Sequence, residues 1–197
     1  VVPMFHANAW GLPFAGGLTG ADLVMPGPAL QAEPLTRLIT GERVTIAAGV
    51  PTIFMDMLRH ADATGPDLSS LRMALCGGAA VPRSLMRDFE QRHGVVMVQG
   101  WGMTELSPLG AVSTPPRGAE GDEALDYRVR QGRISPLIDA RIVAEDGTEQ
   151  PWDDEATGEL HVRGPWVAAA YYRAEAGDVK FSEDGWLRTG DVCAIDP

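Results

Sequence analysis

One short segment, QGWGMTE at 99–105, combines side chains that could together bind a nucleotide. The ring of Trp101 could stack on a base, the hydroxyl of Thr104 could bond to a phosphate oxygen, and the carboxylate of Glu105 could bind Mg²⁺. Each residue also has a structural explanation, since Trp101 could lie in a core and Thr104 with Glu105 could begin a helix. Their concentration in so short a segment favours the functional explanation.

A second glycine-containing segment, LCGGAAVP at 75–82, follows an apolar run. The pattern predicts a strand that ends at Gly77 and Gly78, and a helix that begins at Pro82. In open α/β sheets ligands bind beyond the carboxyl ends of the strands, and glycines let a flat ring or a phosphate approach the backbone. An ordinary tight turn between strand and helix explains the same residues, so this segment alone leaves both explanations open.

Two further segments carry weaker signals. WLRTGD at 186–191 ends in Asp191, whose carboxylate could accept hydrogen bonds from two ribose hydroxyls, although Gly-Asp after a strand is usually a turn. PMFHANAWG at 3–11 places His6 and Trp10 in an apolar stretch without charged residues. A single histidine in such surroundings is more often a hydrogen-bonded core residue than a catalyst.

The elements that would position these segments alternate regularly along the chain. Apolar runs at 43–48, 71–76 and 95–100 predict strands, and the segments 51–61 and 82–93 predict helices that each begin at a proline. The apolar faces of these two helices are formed by Ile53, Phe54, Met57 and Leu58, and by Leu85, Met86 and Phe89. Strands alternating with helices predict a parallel sheet with right-handed crossovers.

The chain changes character after Trp101. Residues 113–127 are rich in Gly, Pro and acids, which predicts a long loop that is either mobile or functional. Short strand patterns at 140–144, 158–164 and 186–190 then predict antiparallel sheet or a small barrel.

We therefore predict an α/β fold in two parts. Residues 1–115 would form a mostly parallel sheet with flanking helices, and residues 116–197 would form a β-rich, barrel-like subdomain. The charge distribution agrees with a division near this point, since residues 1–116 carry 9 acids and 7 bases whereas residues 117–197 carry 18 acids and 9 bases.

The composition excludes several classes of protein. The 197 residues, 45% of them hydrophobic and 22% charged, are typical of a globular protein and not of a disordered chain or a coiled coil. A net charge of -11 argues against a nucleic-acid partner, because such partners are bound mainly by Lys and Arg. Cys76 and Cys193 lack metal-ligand spacing, which favours a reducing, cytoplasmic compartment. Residues 1–21 are uncharged, but prolines and glycines interrupt them, so we expect no transmembrane segment.

The motifs PMFHANAWG, GGAAVP, QGWGMTE, TGELHVRGP and WLRTGD, in this order, resemble those of the adenylate-forming superfamily of acyl-CoA synthetases, luciferases and peptide-synthetase adenylation domains. Within that superfamily the chain looks most like a fatty-acid CoA ligase. The resemblance implies ATP-dependent activation of a fatty acid to an acyl-adenylate with release of pyrophosphate, followed by thioester formation with coenzyme A. It implies ATP, Mg²⁺ and coenzyme A as cofactors, a small carboxylic acid as substrate, and a homodimer as one assembly open to the protein.

The resemblance also implies a role for each residue that matches a family motif. Thr104 would contact the α-phosphate, Glu105 would be the metal ligand, and His6 would lie beside the substrate carboxylate; these three would be the catalytic residues. Asp191 would bind the ribose hydroxyls. Trp10 matches a gate to the acyl tunnel, although a packed core tryptophan explains it equally well. The adenine and acyl pocket would be lined by Gly77, Gly78, Ala79, Gln99, Gly100, Trp101, Gly102 and Met103, of which Gly78 and Gly102 would also contact the acyl substrate.

The sequence begins without Met and is expected to be an internal piece of a longer protein. The resemblance implies a lysine-containing phosphate loop upstream and a small domain with the catalytic lysine downstream, so this fragment alone is not expected to turn over. One alternative is an aryl- or amino-acid-activating adenylation domain. In the amino-acid activators of this superfamily an Asp that pairs with the substrate ammonium stands at the place of His6. Because burying an ammonium group without such a partner is costly, His6 favours a fatty or aryl acid. The other alternative, a degenerate non-catalytic binding module, gives no reason for Thr104, Glu105 and Asp191 to occur together.

Overall fold

The computed structural model describes residues 1–173 and 180–197, and it divides the chain into two compact units. The first comprises Val1–Thr104 and Pro108–Arg133, and the second comprises Glu105–Ser107 and Ile134–Pro197. The sequence predicted the division at residue 115. The main break lies after Arg133 because the chain beyond 115 still contributes to the core of the first unit.

The first sheet has five strands in the order β1-β2-β3-β4-β5. The pairs β1–β2 and β2–β3 are parallel and the pair β3–β4 is antiparallel, which confirms the parallel sheet predicted for the first three strands. The strands are β1 (Ile46–Gly49), β2 (Met73–Gly77), β3 (Val96–Gly102), β4 (Leu109–Val112) and β5 (Arg133–Ile134).

Six helices lie in the first unit, where the predicted helices at 51–61 and 82–93 are confirmed as α4 and α5. Pro51 occupies the first position of α4, where its missing N–H costs no helical hydrogen bond, and Gly65 ends that helix with a φ of 61°. The helices are α1 (Ala7–Trp10), α2 (Leu12–Thr19), α3 (Ala32–Gly41), α4 (Pro51–Thr64), α5 (Arg83–His93) and α6 (Gly121–Arg128). No helix within the described ranges 1–173 and 180–197 is long and apolar enough to cross a bilayer.

The core of the first unit lies where α4 and α5 pack on the sheet. The rings of Phe54 and Phe89 are fully buried and meet edge to face, with centroids 6.1 Å apart. Met57, Leu85 and Met86, which the sequence placed on the apolar helix faces, belong to the same core. This packing fixes the carboxyl ends of β2 and β3, where the predicted site residues stand.

Residues 113–127, predicted to be a loop, contain most of α6. Leu125 is 3% exposed and belongs to the core of the first unit, and Arg128 is 2% exposed with its guanidinium paired to Glu90. The helix was not predicted because one buried leucine among acids gives no helical periodicity in the sequence.

The second unit contains a four-stranded antiparallel sheet in the order β7-β6-β8-β9. Its strands are β6 (Asp139–Val143), β7 (Glu149–Gln150), β8 (Gly158–Arg163) and β9 (Leu187–Cys193). The predicted strands are therefore confirmed, but within the described part of the chain β7 and β9 are edges and the sheet does not close into a barrel. The guanidinium groups of Arg141 and Arg163 lie 4.4 and 4.5 Å from the ring centroid of Trp186, within the range of cation–π contacts.

Candidate active site

The glycine segments that follow β2 and β3 lie at the same edge of the first sheet. The parallel register pairs Cys76 with Gln99 and Gly77 with Gly100. Gly78 and Ala79, which continue from β2, are exposed, as is Gly102 at the end of β3. The structure thus brings the two predicted segments side by side at the carboxyl ends of parallel strands, the position where open α/β sheets bind ligands.

Trp10 packs against these strand ends. A Cβ atom added at Gly77 would lie 3.2 Å from Cη2 of Trp10 and 3.1 Å from the carbonyl oxygen of Gly100. A methyl group there would make tight contacts with the indole ring and with the backbone of β3, so a residue without a side chain fits this position best. The tryptophan ring, Gly77 and Gly100 therefore form one uncharged surface.

The backbone turn that carries Trp10 is left-handed. Residues Ala7, Asn8, Ala9 and Trp10 have φ angles of 44 to 56°, a conformation that costs L-residues roughly 1–2 kcal/mol each. His6 precedes this turn and is exposed. The indole ring of Trp10, at the end of this turn, lies against the end of β2 at Gly77.

Gln99 is 1% exposed and is bonded within the fold on all its polar groups. Its Oε1 accepts the N–H of Val81 at 2.8 Å, and its Nε2 donates to the carbonyl oxygens of Val129 and Arg130 at 3.2 and 2.8 Å. Its backbone N–H and C=O are both bonded to Ser113. The side chain of Gln99 therefore links the loop after β2 and residues 129–130 to β3, and its amide is bonded within the protein. That Gln99 lines the adenine and acyl pocket stays a prediction.

The end of β3 is shaped by a tight return into β4. The register shifts between Trp101 and Gly102, and a Cβ at Gly102 would lie 2.0 Å from the carbonyl oxygen of Pro108. The N–H of Met103 donates to that same oxygen at 2.9 Å. Trp101 and Met103 are both half-buried, so neither is a fully packed core residue.

The chain then forms a 3₁₀ turn at Thr104–Leu106. Leu106 is fully buried, which anchors the turn, whereas Thr104 is exposed and Glu105 is half-buried. The structure therefore presents the hydroxyl of Thr104 to solvent and the carboxylate of Glu105 at the border of the protein.

Glu105 is tied to a later segment of the second unit. The hydroxyl of Tyr171 donates a hydrogen bond to Oε1 of Glu105, and the N–H of Ala168 donates to the backbone carbonyl of Glu105 at 2.7 Å. Oγ of Ser107 donates to the carbonyl of Trp166 at 3.0 Å. Hydrogen bonds thus join residues 105–107 to residues 166–171, and one carboxylate oxygen of Glu105 accepts a hydrogen bond from the phenol of Tyr171.

Asp191 lies inside β9, since the strand continues to Cys193 beyond its predicted end at residue 190. Its side chain is exposed. Burial of the Cys193 thiol, and secondarily the negative charge of Asp191, raise the pKa of Cys193. Burial raises the pKa of Cys76 to about 12, so the Cys76 thiol next to Gly77 stays protonated and is no nucleophile.

The match to known proteins agrees with this geometry. Residues 1–172 match the family model described as AMP-binding enzyme. The chain belongs to the AMP-binding enzyme family. The adenylate-forming resemblance of the motifs is thereby confirmed, and the matched stretch includes all the predicted site residues except Asp191.

Relatives of this family are similar along the whole chain. The chain is 43% identical over 200 residues to a 3-methylmercaptopropionyl-CoA ligase of Ruegeria lacuscaerulensis, covering 100% of the chain and 37% of that protein. It is 42% identical to a medium-chain-fatty-acid CoA ligase of Ectopseudomonas oleovorans, covering 100% of the chain and 36% of that protein. The chain therefore spans little more than a third of the length of the curated relatives it matches.

A solved structure shares the fold. The N-terminal domain of FACL13 from Mycobacterium tuberculosis superposes with a TM-score of 0.82 at 26% identity, covering 99% of the chain and 46% of that structure. The predicted α/β class is confirmed by this likeness and by the parallel-rich sheet with its flanking helices.

The AMP-binding enzyme family implies a divalent cation, and the residues present fit one. Within residues 1–173 and 180–197 no group of three or more His, Cys, Asp or Glu side chains is arranged as a metal cage. Mg²⁺ with a nucleotide needs no such cage, because it is commonly held by one or two carboxylates together with phosphate oxygens and water. Glu105 supplies a carboxylate of that kind.

Sequence reasoning missed residues that hold the site rather than contact a ligand. Tyr171 lies in the AAAYYR segment, where nothing in its spacing indicates a partner 66 residues away. The contacts of the Gln99 amide with Val81, Val129 and Arg130 are likewise absent from any sequence pattern. Both contacts depend on tertiary structure, so no local pattern could have revealed them.

Proposed function

We propose that the full-length protein activates a fatty acid as its acyl-adenylate and then transfers the acyl group to coenzyme A. The observation that carries the proposal is the pairing of Gly77 with Gly100, which puts the two glycine segments at one strand edge with the Trp10 ring against them. Such an edge offers a planar base or an acyl chain close access to the backbone.

In the first reaction a carboxylate oxygen of the acid attacks the α-phosphorus of ATP. A P–O bond forms, the bond from the α-phosphorus to the bridging oxygen breaks, and pyrophosphate leaves. Negative charge accumulates on the phosphoryl oxygens, so donors directed at them lower the barrier. The exposed hydroxyl of Thr104 is the side-chain donor we assign to an α-phosphate oxygen.

Glu105 would hold Mg²⁺, which supplies positive charge to the phosphates when it is bound. The phenol of Tyr171 occupies Oε1 of Glu105 and thereby orients the carboxylate. Asp191 would accept hydrogen bonds from the ribose hydroxyls, and His6 would lie beside the substrate carboxylate. The roles of these three residues and of Thr104 rest on the family resemblance of the motifs together with the exposure or partial exposure of each side chain. The role of Tyr171 rests on its hydrogen bond to Glu105.

In the second reaction the sulfur of coenzyme A attacks the carbonyl carbon of the acyl-adenylate. The thiol proton is lost to solvent, a C–S bond forms, the C–O bond to the phosphate breaks, and AMP leaves. Neither thiol of the chain is needed for this step, which agrees with the deep burial of Cys76.

The choice of a fatty acid is supported by the uncharged character of the surface around Trp10. Residues 1–21 contain no Asp, Glu, Lys or Arg, so an ammonium group would find no counter-charge on this segment. An apolar chain would lose no hydrogen bonds there. The names of the two curated relatives support acid–thiol ligation in general, since one is a ligase of a thioether acid and the other of medium-chain fatty acids.

The test is thioester formation by the full-length protein with ATP, Mg²⁺ and coenzyme A. The acids to compare are medium- and long-chain fatty acids, a short thioether acid, aryl acids and amino acids, with products identified by mass spectrometry. We expect acyl-CoA from fatty acids, loss of product in Glu105→Gln, and no loss in Glu149→Gln, a matched change at an exposed glutamate of β7.

The outcomes separate the candidate functions. Products from aryl acids alone would replace the fatty-acid assignment while keeping acid–thiol ligation. Adenylate formation with amino acids and no acyl-CoA would indicate an amino-acid-activating domain. No reaction with any acid would favour a non-catalytic module.

A further inference from the structure

Asp191 stands in an irregular part of the second sheet. Glu159 pairs with Val192 and His161 pairs with Arg188, so Leu160 alone faces the three residues Thr189, Gly190 and Asp191. Gly190 has a φ of 82°, which belongs to the left-handed region that favours glycine. The extra residues of this bulge turn Asp191 out of the regular ladder.

Side chains replace the ladder hydrogen bonds that the bulge interrupts. Oγ1 of Thr189, which is 7% exposed, donates to the carbonyl of Leu160 at 2.7 Å and accepts the N–H of Asp191 at 3.1 Å. Oε1 of Glu159 accepts the N–H of Gly190 at 3.0 Å. The two consecutive N–H groups around Gly190 and Asp191 are thus held by side chains and not by the opposite strand.

The second carboxylate oxygen of Glu159 contacts the buried ring of His161. Nε2 of His161 lies 3.3 Å from Oε2 of Glu159, and His161 is 4% exposed. A carboxylate oxygen only accepts hydrogen bonds, so Nε2 of His161 is the donor in this contact, and within the described chain Nδ1 of His161 has no hydrogen-bond partner. A chain of contacts therefore runs from His161 through Glu159 to the N–H of Gly190.

We propose that Glu159, oriented by His161, is the positioning residue that fixes the bulge and so presents Asp191 to the ribose hydroxyls of the nucleotide. The inference rests on the proposed function, because Asp191 has a ribose to bind only if the protein uses a nucleotide. Glu159 itself does not contact the nucleotide. Its effect is confined to the geometry of Asp191 and must therefore depend on the ribose hydroxyls.

The test compares ATP with 2′-deoxy-ATP and 3′-deoxy-ATP in acid-dependent pyrophosphate exchange by the full-length protein. The variants are Glu159→Ala, Glu159→Gln and Asp191→Ala, with Glu149→Ala as the matched glutamate on the far edge strand of the same sheet. The KM values for each nucleotide and for the acid are measured in every variant.

We expect the wild type to prefer ATP to both deoxynucleotides and Asp191→Ala to lose that preference. Glu159→Ala should raise the KM for ATP by about tenfold, a change typical of losing one hydrogen bond to a charged group. It should also reduce the preference for ATP over the two deoxynucleotides. Its KM for the acid should stay unchanged. Glu159→Gln should keep most of the preference because its amide oxygen still accepts the N–H of Gly190.

The inference would be overturned if Asp191→Ala lost the preference for ATP over the deoxynucleotides and Glu159→Ala kept it in full. The proposed function would then remain intact. A wild type without exchange would overturn the proposed function itself. If Glu159→Ala does not fold, His161→Phe takes its place, since the buried ring is kept and only its bond to Glu159 is lost. In His161→Phe we expect the preference for ATP over the deoxynucleotides to fall about two- to threefold, on the order of the effect of weakening a single hydrogen bond. An unchanged preference in that variant would overturn the inference.

Discussion

Glu105 depends for its orientation on a residue far along the chain, the phenol of Tyr171. A carboxylate that binds a metal is usually held by a further hydrogen bond, and losing such a bond commonly costs 10- to 100-fold in metal affinity or activity. Tyr171→Phe should therefore raise the Mg²⁺ concentration needed for half-maximal exchange by about tenfold.

The matched control for this change is Tyr172→Phe, because Tyr172 is the neighbouring tyrosine and is 86% exposed. The same shift is measurable without turnover, by titrating Mn²⁺ into the protein–nucleotide complex and following its electron paramagnetic resonance signal. Equal Mn²⁺ affinity in the wild type and Tyr171→Phe would show that the phenol does not orient Glu105.

Cys193 reports on the charge of Asp191. Burial and then the Asp191 carboxylate raise the pKa of Cys193, so less thiolate exists at a given pH than for a free cysteine, whose pKa is about 8.5. Asp191→Asn removes the second cause and should lower the pKa, which increases the rate of alkylation by iodoacetamide at mildly alkaline pH.

The rate at each thiol can be followed by peptide mass spectrometry across the pH range. Glu149→Gln, the same loss of charge elsewhere in the sheet, should leave the Cys193 rate unchanged. Cys76 should remain unmodified in the folded protein, since it is fully buried and its pKa is about 12. A Cys193 rate that does not respond to Asp191→Asn would place the carboxylate too far from the thiol to act on it.

At the scale of elements, the β9 bulge is defined by the conformation of Gly190. A Cβ there would meet Nζ of Lys180 at 3.5 Å, an ordinary contact, so strain from the φ of 82° is the main cost of Gly190→Ala. That cost is on the order of 1–2 kcal/mol. The substitution should lower the unfolding midpoint and raise the KM for ATP.

Gly185→Ala separates the loss of stability from the change of the KM for ATP. Gly185 has the same φ of 82° in the turn before β9, and its added Cβ would meet nothing within 4 Å. Both variants should lose similar stability in urea unfolding, and only Gly190→Ala should change the KM for ATP. An equal change of KM in both variants would mean that the bulge has no special role.

The elements that could be predicted from sequence are those with strong local signals. The strands β1 to β3 are continuous apolar runs, and α4 and α5 begin at or directly after a proline and carry apolar residues on one face. The left-handed turn at Ala7–Trp10 could not be predicted, because alanine and tryptophan disfavour positive φ. Gly190 and Asp191 predict a turn from their sequence, whereas the structure places them in a bulge of β9.

At the scale of the whole molecule, the site could be predicted as a set of segments but not as a geometry. The parallel orientation of β2 and β3 follows from the strand–helix alternation in the sequence, whereas the register that pairs Gly77 with Gly100 is seen only in the structure. The contacts of Glu105 with Tyr171 and of Glu159 with Gly190 join residues separated by 66 and 31 positions, and no local pattern encodes them. Sequence reasoning therefore identifies candidate ligand-binding residues more readily than the residues that hold them.

The net charge of -11 gives the whole chain an unfavourable field for a polyanionic nucleotide. Local groups must offset that field, and in the proposed site a divalent cation held by Glu105 would do so. Acid activation should therefore depend on this single carboxylate more than on any other exposed glutamate of the chain.

The most direct test is acid-dependent exchange of labelled pyrophosphate into ATP by the full-length protein in the absence of coenzyme A, which isolates the adenylation step. We predict exchange that requires a fatty acid and Mg²⁺, falls by about 100-fold or more in Glu105→Gln, and is unchanged in Glu149→Gln. Exchange that needs no acid, or that persists undiminished in Glu105→Gln, would contradict the account.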